Sequence, residues 1–155
     1  MKVWRLCRMR HARFDGEGAR LAGGRWNHSG TPMVYMSATL SLAALEYLVN
    51  HPDFSTVPAD LIAISADIPR AARIETIEQA DLPSGWREYP APESLAELGT
   101  EWARQRRSPV LAVPSAIVPQ EQNYLINPEH PDFRKIGIGK PRRFSLDPRL
   151  LKASS

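Results

Sequence analysis

Hydrophobic positions along this chain come in short bursts cut off by proline and glycine, and most bursts have the length of a strand. Val3 to Leu6 and Met33-Val34-Tyr35-Met36 are such runs. Leu61 to Ile68 is apolar and β-branched up to Pro69, which predicts a central strand. Further strand candidates are Arg73 to Ile77, Val110 to Val113 before Pro114, Ser115 to Val118 before Pro119, Asn123 to Ile126, and Arg143 to Leu146. Two stretches switch to helical spacing. Ser37 is placed to cap a helix that runs through Val49 and stops before His51-Pro52, with Ala38, Leu42, Leu45 and Val49 on one stripe. The other helix covers 93–106, with Leu95, Leu98 and Trp102 on a shared face. Residues 13–32 hold five glycines and one proline and read as a long structured loop.

Fourteen prolines argue against a helical bundle, and the irregular order of strands and helices argues against a doubly wound parallel sheet. The expected class is α+β, with a mixed or mainly antiparallel sheet and short flanking helices. A chain of 155 residues, 43% hydrophobic and 24% charged, fits one soluble domain over 1–155. No apolar run approaches a membrane span, and residues 1–15 lack the apolar core of a signal peptide. A single cysteine, Cys7, suits a reducing compartment, so the expected location is cytoplasmic. The four histidines are scattered without ligand spacing, and no metal site is expected.

Charge adds a pattern that the net value of +3 hides. Residues 1–25 carry seven Lys/Arg and two acids, and 134–155 carry seven and one, whereas the middle is acidic. If the ends meet, they form a positive region suited to a phosphate-bearing ligand, a nucleic acid or an acidic partner; otherwise they are unevenly charged surface.

Candidate chemistry is spread along the chain. Glu46 stands beside Leu42 and Val49 at the edge of its helix's apolar stripe, as a half-desolvated carboxylate or an exposed flank residue. Arg25 follows Gly23-Gly24, a backbone able to present a guanidinium to phosphate or carboxylate, though the arginine also suits packing over Trp26. Tyr35 suits stacking on a planar ligand or a place in the core. Ser115 follows a strand end, where an exposed hydroxyl is easily offered, but no serine-hydrolase elbow surrounds it. P-loop, Rossmann and zinc motifs are absent from the sequence, and the glycines of Ile136-Gly137-Ile138-Gly139-Lys140 lack phosphate-loop spacing.

The ordered set of Gly16-Glu17-Gly18-Ala19-Arg20 with GGRWNHSG (23–30), TPMVYMSATLSLAALEYLVN (31–50), SPVLAVPSAIVPQEQNYLINPEHPDF (108–133) and RRFSLDPRL (142–150) resembles the RES-domain family. The likeness spans nearly the whole chain, with 70–105 variable. It implies an ADP-ribosyltransferase-like fold and a toxin from a bacterial type II toxin–antitoxin pair. The implied site residues are Arg25, Tyr35, Glu46, Ser115 and Asn123, with Arg25, Tyr35 and Ser115 also binding the substrate. The implied activity is NAD depletion by cleavage between nicotinamide and ribose, with transfer to water, inorganic phosphate or a protein. NAD is then a substrate, and no bound cofactor is implied. The implied partner is an antitoxin with an Xre-like helix-turn-helix that covers the active-site cleft, so that DNA is met only through the antitoxin; no membrane is involved. Two other classes stand beside this reading. An RNA-binding or RNA-cleaving toxin fits the pI near 9.3 and four tryptophans, and an inactive module would only engage the antitoxin.

Overall fold

The computed structural model describes residues 1–51 and 58–151. Its elements are β1 (Lys2–Arg8), α1 (Glu17–Ala22), β2 (Val34–Ser37), α2 (Leu40–Asn50), β3 (Leu61–Asp67), β4 (Ile74–Thr76), α3 (Glu93–Gln105), β5 (Val110–Pro114), β6 (Gln122–Ile126), β7 (Gly137–Ile138) and β8 (Arg142–Arg143). The strands share one sheet in the order β4-β5-β6-β2-β1-β3-β7, with β8 also on β3. β4 and β5 run parallel and the other pairs antiparallel, so the α+β class with a mixed sheet is observed.

Side chains alternate across the sheet as the pleat requires. Val3, Val34, Met36, Ala66, Val110 and Ile126 meet on one face, where Phe14 and Phe133 pack against them. The opposite face carries two separate clusters. Leu111, Val113 and Leu125 lie with Trp26, Leu95 and Trp102 under α3, and Leu6 and Leu61 lie with Ala43 and Tyr47 under α2. Between these clusters β1 touches β2 at Trp4 opposite Ser37 alone among the described residues, whereas β1 pairs with β3 along its whole length. The sheet is therefore thinly joined where the two helices part.

Several expectations are corrected. The 13–32 loop contains α1, begun where Asp15 Oδ1 accepts from the Glu17 amide. Ser37 does not cap α2, because its backbone is spent in β2; Thr39 does, its hydroxyl accepting from the Leu42 amide at 3.1 Å. The inward face of α2 is Leu42, Ala43 and Tyr47, with Leu45 and Val49 exposed. Glu46 thus lies on the half-buried flank of a face turned away from the expected stripe. Pro52, expected to stop this helix, lies outside the described residues. In α3, the small residues Ala96, Gly99, Thr100 and Ala103 join Leu95 and Trp102 on the buried face, which leaves Leu98 at 43% exposure. Ser115 to Val118 is a turn, because the Ser115 hydroxyl accepts from the Ile117 and Val118 amides. Of the last candidate, Arg143 to Leu146, only Arg143 joins the sheet, in β8 together with Arg142 ahead of it; Leu146 is buried against Leu61 without strand pairing.

A polar link fastens α3 to the β4–β5 edge. Ser108, fully buried, accepts from Trp102 Nε1 at 2.9 Å and donates to Glu75 Oε2 at 2.7 Å, and Arg107 also reaches Glu75. Burial pushes the Glu75 carboxyl up, but the Ser108 and Arg107 bonds outweigh it and hold the group below its ordinary value. Ser108→Ala strands the Trp102 N–H and is expected to cost about 1–3 kcal/mol in urea unfolding at pH 7. A carboxyl held low in the fold stabilises above its unfolded pKa and loses that contribution as pH falls through the folded one. The gap between wild type and variant should therefore narrow below about pH 4.

Candidate active site

Strand register assembles the first part of the site. Asn123 on β6 lies opposite Ser37 of β2 on one side and Val113 of β5 on the other. Ser115 follows the end of β5, and α2 lays Glu46 above these strands. Glu46 Oε1 accepts from Asn123 Nδ2 at 2.6 Å and from the Ser115 hydroxyl at 3.1 Å. Asn123 cannot turn over, because the Glu46 carboxylate only accepts and so takes Nδ2, which leaves Oδ1 to accept from the Ser37 hydroxyl at 2.8 Å. Ser115 Oγ in turn accepts from two backbone amides. Both bonds to Glu46 fall on one oxygen, so the other has no protein donor among the described residues and is open to a ligand.

The second part is the loop Gly23-Gly24-Arg25-Trp26-Asn27. Gly23 has φ 71°, and a Cβ on Gly24 would lie 2.7 Å from the Tyr35 hydroxyl. Trp26 is buried against Leu95 and Trp102, which anchors the loop. Asn27, also buried, donates from Nδ2 to the carbonyls of Ala19, His28 and Thr31. Its Oδ1 must therefore be the atom that accepts from the Tyr35 hydroxyl, at 2.6 Å, while that hydroxyl accepts from the Trp26 amide at 3.0 Å. Burial pushes the Tyr35 phenol well above its ordinary value, so it stays neutral.

Arg25 reaches across to residues 86–88, donating from Nη1 to the Trp86 carbonyl at 2.7 Å and from Nη2 to the Glu88 carbonyl at 3.2 Å. Burial lowers its pKa, an effect opposed by Glu46 and then Tyr35.

These groups surround a cleft of about 690 Å³ lined by Gly24, Arg25, Tyr35, Glu46, Arg87 and Asn123, with Val49, Tyr89 and Ile117 along it. A side recess of about 190 Å³ opens at the β1–β2 joint and shares Tyr35, Glu46 and Asn123 with the cleft. Arg25, Tyr35, Glu46 and Asn123 thus line one space. Ser115 is fully buried beneath them, which corrects the expectation of an exposed, ligand-facing hydroxyl. Sequence reasoning missed Asn27 and Arg87. Asn27 follows a tryptophan read as an anchor, and Arg87 falls in the stretch set aside as variable.

The basic chain ends come to the same region of the sheet but do not pair with each other, since β1 and β8 flank β3 on its two sides. Their cations mostly lie away from the cleft, which takes Arg25 from the N-terminal stretch and Arg87 from the acidic middle. The histidines do not all stand apart in space. The fold brings His28 beside Glu93 and Glu97 of α3, with their ligand-type atoms within 4.8 Å of one another, as a cluster whose two carboxylates are exposed.

The model of the RES domain matches residues 2–147. The chain belongs to the RES-domain family. RES relatives match it end to end. "Toxin Res" of Photorhabdus laumondii is 41% identical over 99% of both chains, and "Toxin Res" of Yersinia enterocolitica is 38% identical over 97% of this chain and 99% of its own. The "Prs ADP-ribosylating toxin" of a Sphingobium species is 38% identical over 90% of this chain and 87% of its own. By family, then, this RES protein is a toxin. Among solved structures, the M. tuberculosis MbcT–MbcA toxin–antitoxin complex contains a chain of the same fold, with TM-score 0.69, 18% identity, and 93% of this chain and 84% of that one covered. No helix among the described residues is long and apolar enough to cross a membrane.

The hydroxyl of Tyr35 is fully engaged by the loop, so its removal is felt in the fold. Tyr35→Phe leaves the Trp26 amide and the Asn27 Oδ1 short of a partner and is expected to cost about 1–3 kcal/mol in denaturant unfolding. An unchanged midpoint would mean that the hydroxyl does not hold the loop.

Proposed function

We propose that this RES protein is the toxin of a bacterial type II pair and depletes NAD by breaking the nicotinamide–ribose N-glycosidic bond. The observation that carries this reading is Glu46, a carboxylate oriented by Ser115 and Asn123 in a cleft that also holds two arginines. As the C–N bond breaks, its electron pair goes to the pyridinium nitrogen and nicotinamide leaves neutral. The leaving group therefore needs no proton, and positive charge builds on the ribose, as in glycoside cleavage. Glu46 supplies the opposing charge or accepts from a ribose hydroxyl through its open oxygen. Arg25 and its neighbours hold the pyrophosphate, the Tyr35 ring flanks the flat part of the ligand, and Ser115 acts only by orienting Glu46. Water or inorganic phosphate attacks the vacated carbon, and a water nucleophile releases its proton to Glu46 or solvent. NAD is substrate here, with no resident cofactor.

A second reading, transfer of ADP-ribose to a particular protein, is favoured by the 38% identical relative named an ADP-ribosylating toxin. The partner we propose is an Xre-like helix-turn-helix antitoxin that covers the cleft mouth, where Val49 and Tyr89 are 58% and 89% exposed. DNA is then reached only through that partner, and the site of action is the cytoplasm. The support is the neighbouring fold, which was solved as a toxin–antitoxin complex.

Glu46→Gln keeps an acceptor oxygen for both Ser115 and Asn123, so the fold should persist while NAD turnover falls by about 10²-fold or more. Full turnover by a folded Glu46→Gln protein would remove Glu46 from the chemistry. Mass spectrometry of the products, with phosphate, without it and with cell lysate, assigns the acceptor: ADP-ribose marks water, its 1-phosphate marks phosphate, and a mass gain on one protein marks transfer. Intact NAD in every arm would overturn the proposal.

A further inference from the structure

The two arginines of the cleft are bound in different ways. Arg25 is half-buried and spends Nη1 and Nη2 on the carbonyls of Trp86 and Glu88, across 61 and 63 residues of chain. It is a beam between the glycine loop and the segment opposite. Arg87 lies within that segment and is exposed; it donates from Nε to the Ala116 carbonyl at 2.9 Å and reaches the Ile117 carbonyl only at 3.5 Å. Those carbonyls belong to the turn that begins at Ser115, the residue supporting Glu46. Arg25 thus fixes the position of residues 86–88, and residue 87 carries the second guanidinium into the same cleft.

A diphosphate carries two negative charges and presents oxygens on two phosphorus atoms, so one guanidinium cannot satisfy it. Arg25 keeps free N–H groups but cannot swing toward a ligand without dropping the opposite wall. Arg87 can move, because its solvent-exposed bonds to the Ala116 and Ile117 carbonyls are readily exchanged for charge-assisted bonds to phosphate. We infer that Arg87 is a second diphosphate-binding residue, closing over the ligand from the wall that Arg25 holds in place. This rests on the reading of the cleft as a site for NAD. It divides the work, with Arg25 both touching and positioning and Arg87 supplying the adaptable contact. It also gives the variable stretch a part in substrate binding.

The test is Arg87→Gln, which keeps an N–H for the Ala116 carbonyl and removes only the charge and the fork. ADP-ribose binding by calorimetry should weaken about 10-fold or more. KM for NAD should rise in step, the loss should fall on KM rather than kcat, and the melting temperature should stay within a degree or so. The ADP-ribose affinity of wild type should drop more steeply with added salt than that of the variant. If wild type binds ADP-ribose and Arg87→Gln binds it equally well, the inference is wrong and the NAD reading stands. If Arg87→Gln instead loses melting temperature and kcat together, the arginine is a structural tie between 86–88 and the 116–117 turn, and the inference is again wrong. If wild type neither binds ADP-ribose nor cleaves NAD, the functional reading itself fails and takes this inference with it.

Discussion

A carboxylate half withdrawn from water must be compensated by donors, and in this protein that requirement falls on Glu46. Its compensation is a chain of hydrogen bonds through Asn123 and Ser115 to Ser37 and the 117–118 amides. Those partners sit on two neighbouring strands, β2 and β6, and on the turn after a third, β5. A one-residue slip of β6 against β2 would turn Asn123 to the other face and leave Glu46 with a hydroxyl alone. The core alternation that fixes this register therefore also fixes the charge. Packing and chemistry are settled by the same pairing.

The fold class was legible because strand-length bursts, prolines and irregular element order are local signals. Where the sequence reading erred, tertiary contact decided. Ser37 looks like a cap, but a hydroxyl that strand pairing sends to Asn123 is not available to α2. Leu45, Val49 and Leu98 look like core, yet α2 turns Leu42, Ala43 and Tyr47 inward and α3 turns Leu95, Trp102 and four small residues inward, which leaves these leucines and the valine exposed. Hydrophobicity alone does not say which part of an apolar surface is covered.

The site was legible in a different sense. Glu46, Arg25, Tyr35 and Ser115 are each candidates on their local sequence, Asn123 enters with the family resemblance, and it is the resemblance, not spacing within the chain, that joins the five. Their geometry separates roles that the resemblance listed together. Four line a shared space, while Ser115 holds another residue from below. Asn27 was invisible to sequence reasoning because its importance lies in four simultaneous partners, of which three are backbone carbonyls. The β1–β2 joint was equally hidden, since a missing stretch of pairing leaves no mark in composition.

The beam formed by Arg25 has one further consequence. It grips main-chain carbonyls and so is indifferent to which side chains the opposite segment carries. Glu88 and Tyr89, which follow Arg87 and point no bond at Arg25 from their side chains, can therefore be replaced, and new surface chemistry offered at the cleft mouth, without any matching change in the Arg25 beam or its loop. Such an arrangement lets one half of a binding site drift toward new acceptors or new inhibitors while the half that handles the reactive bond remains as it was.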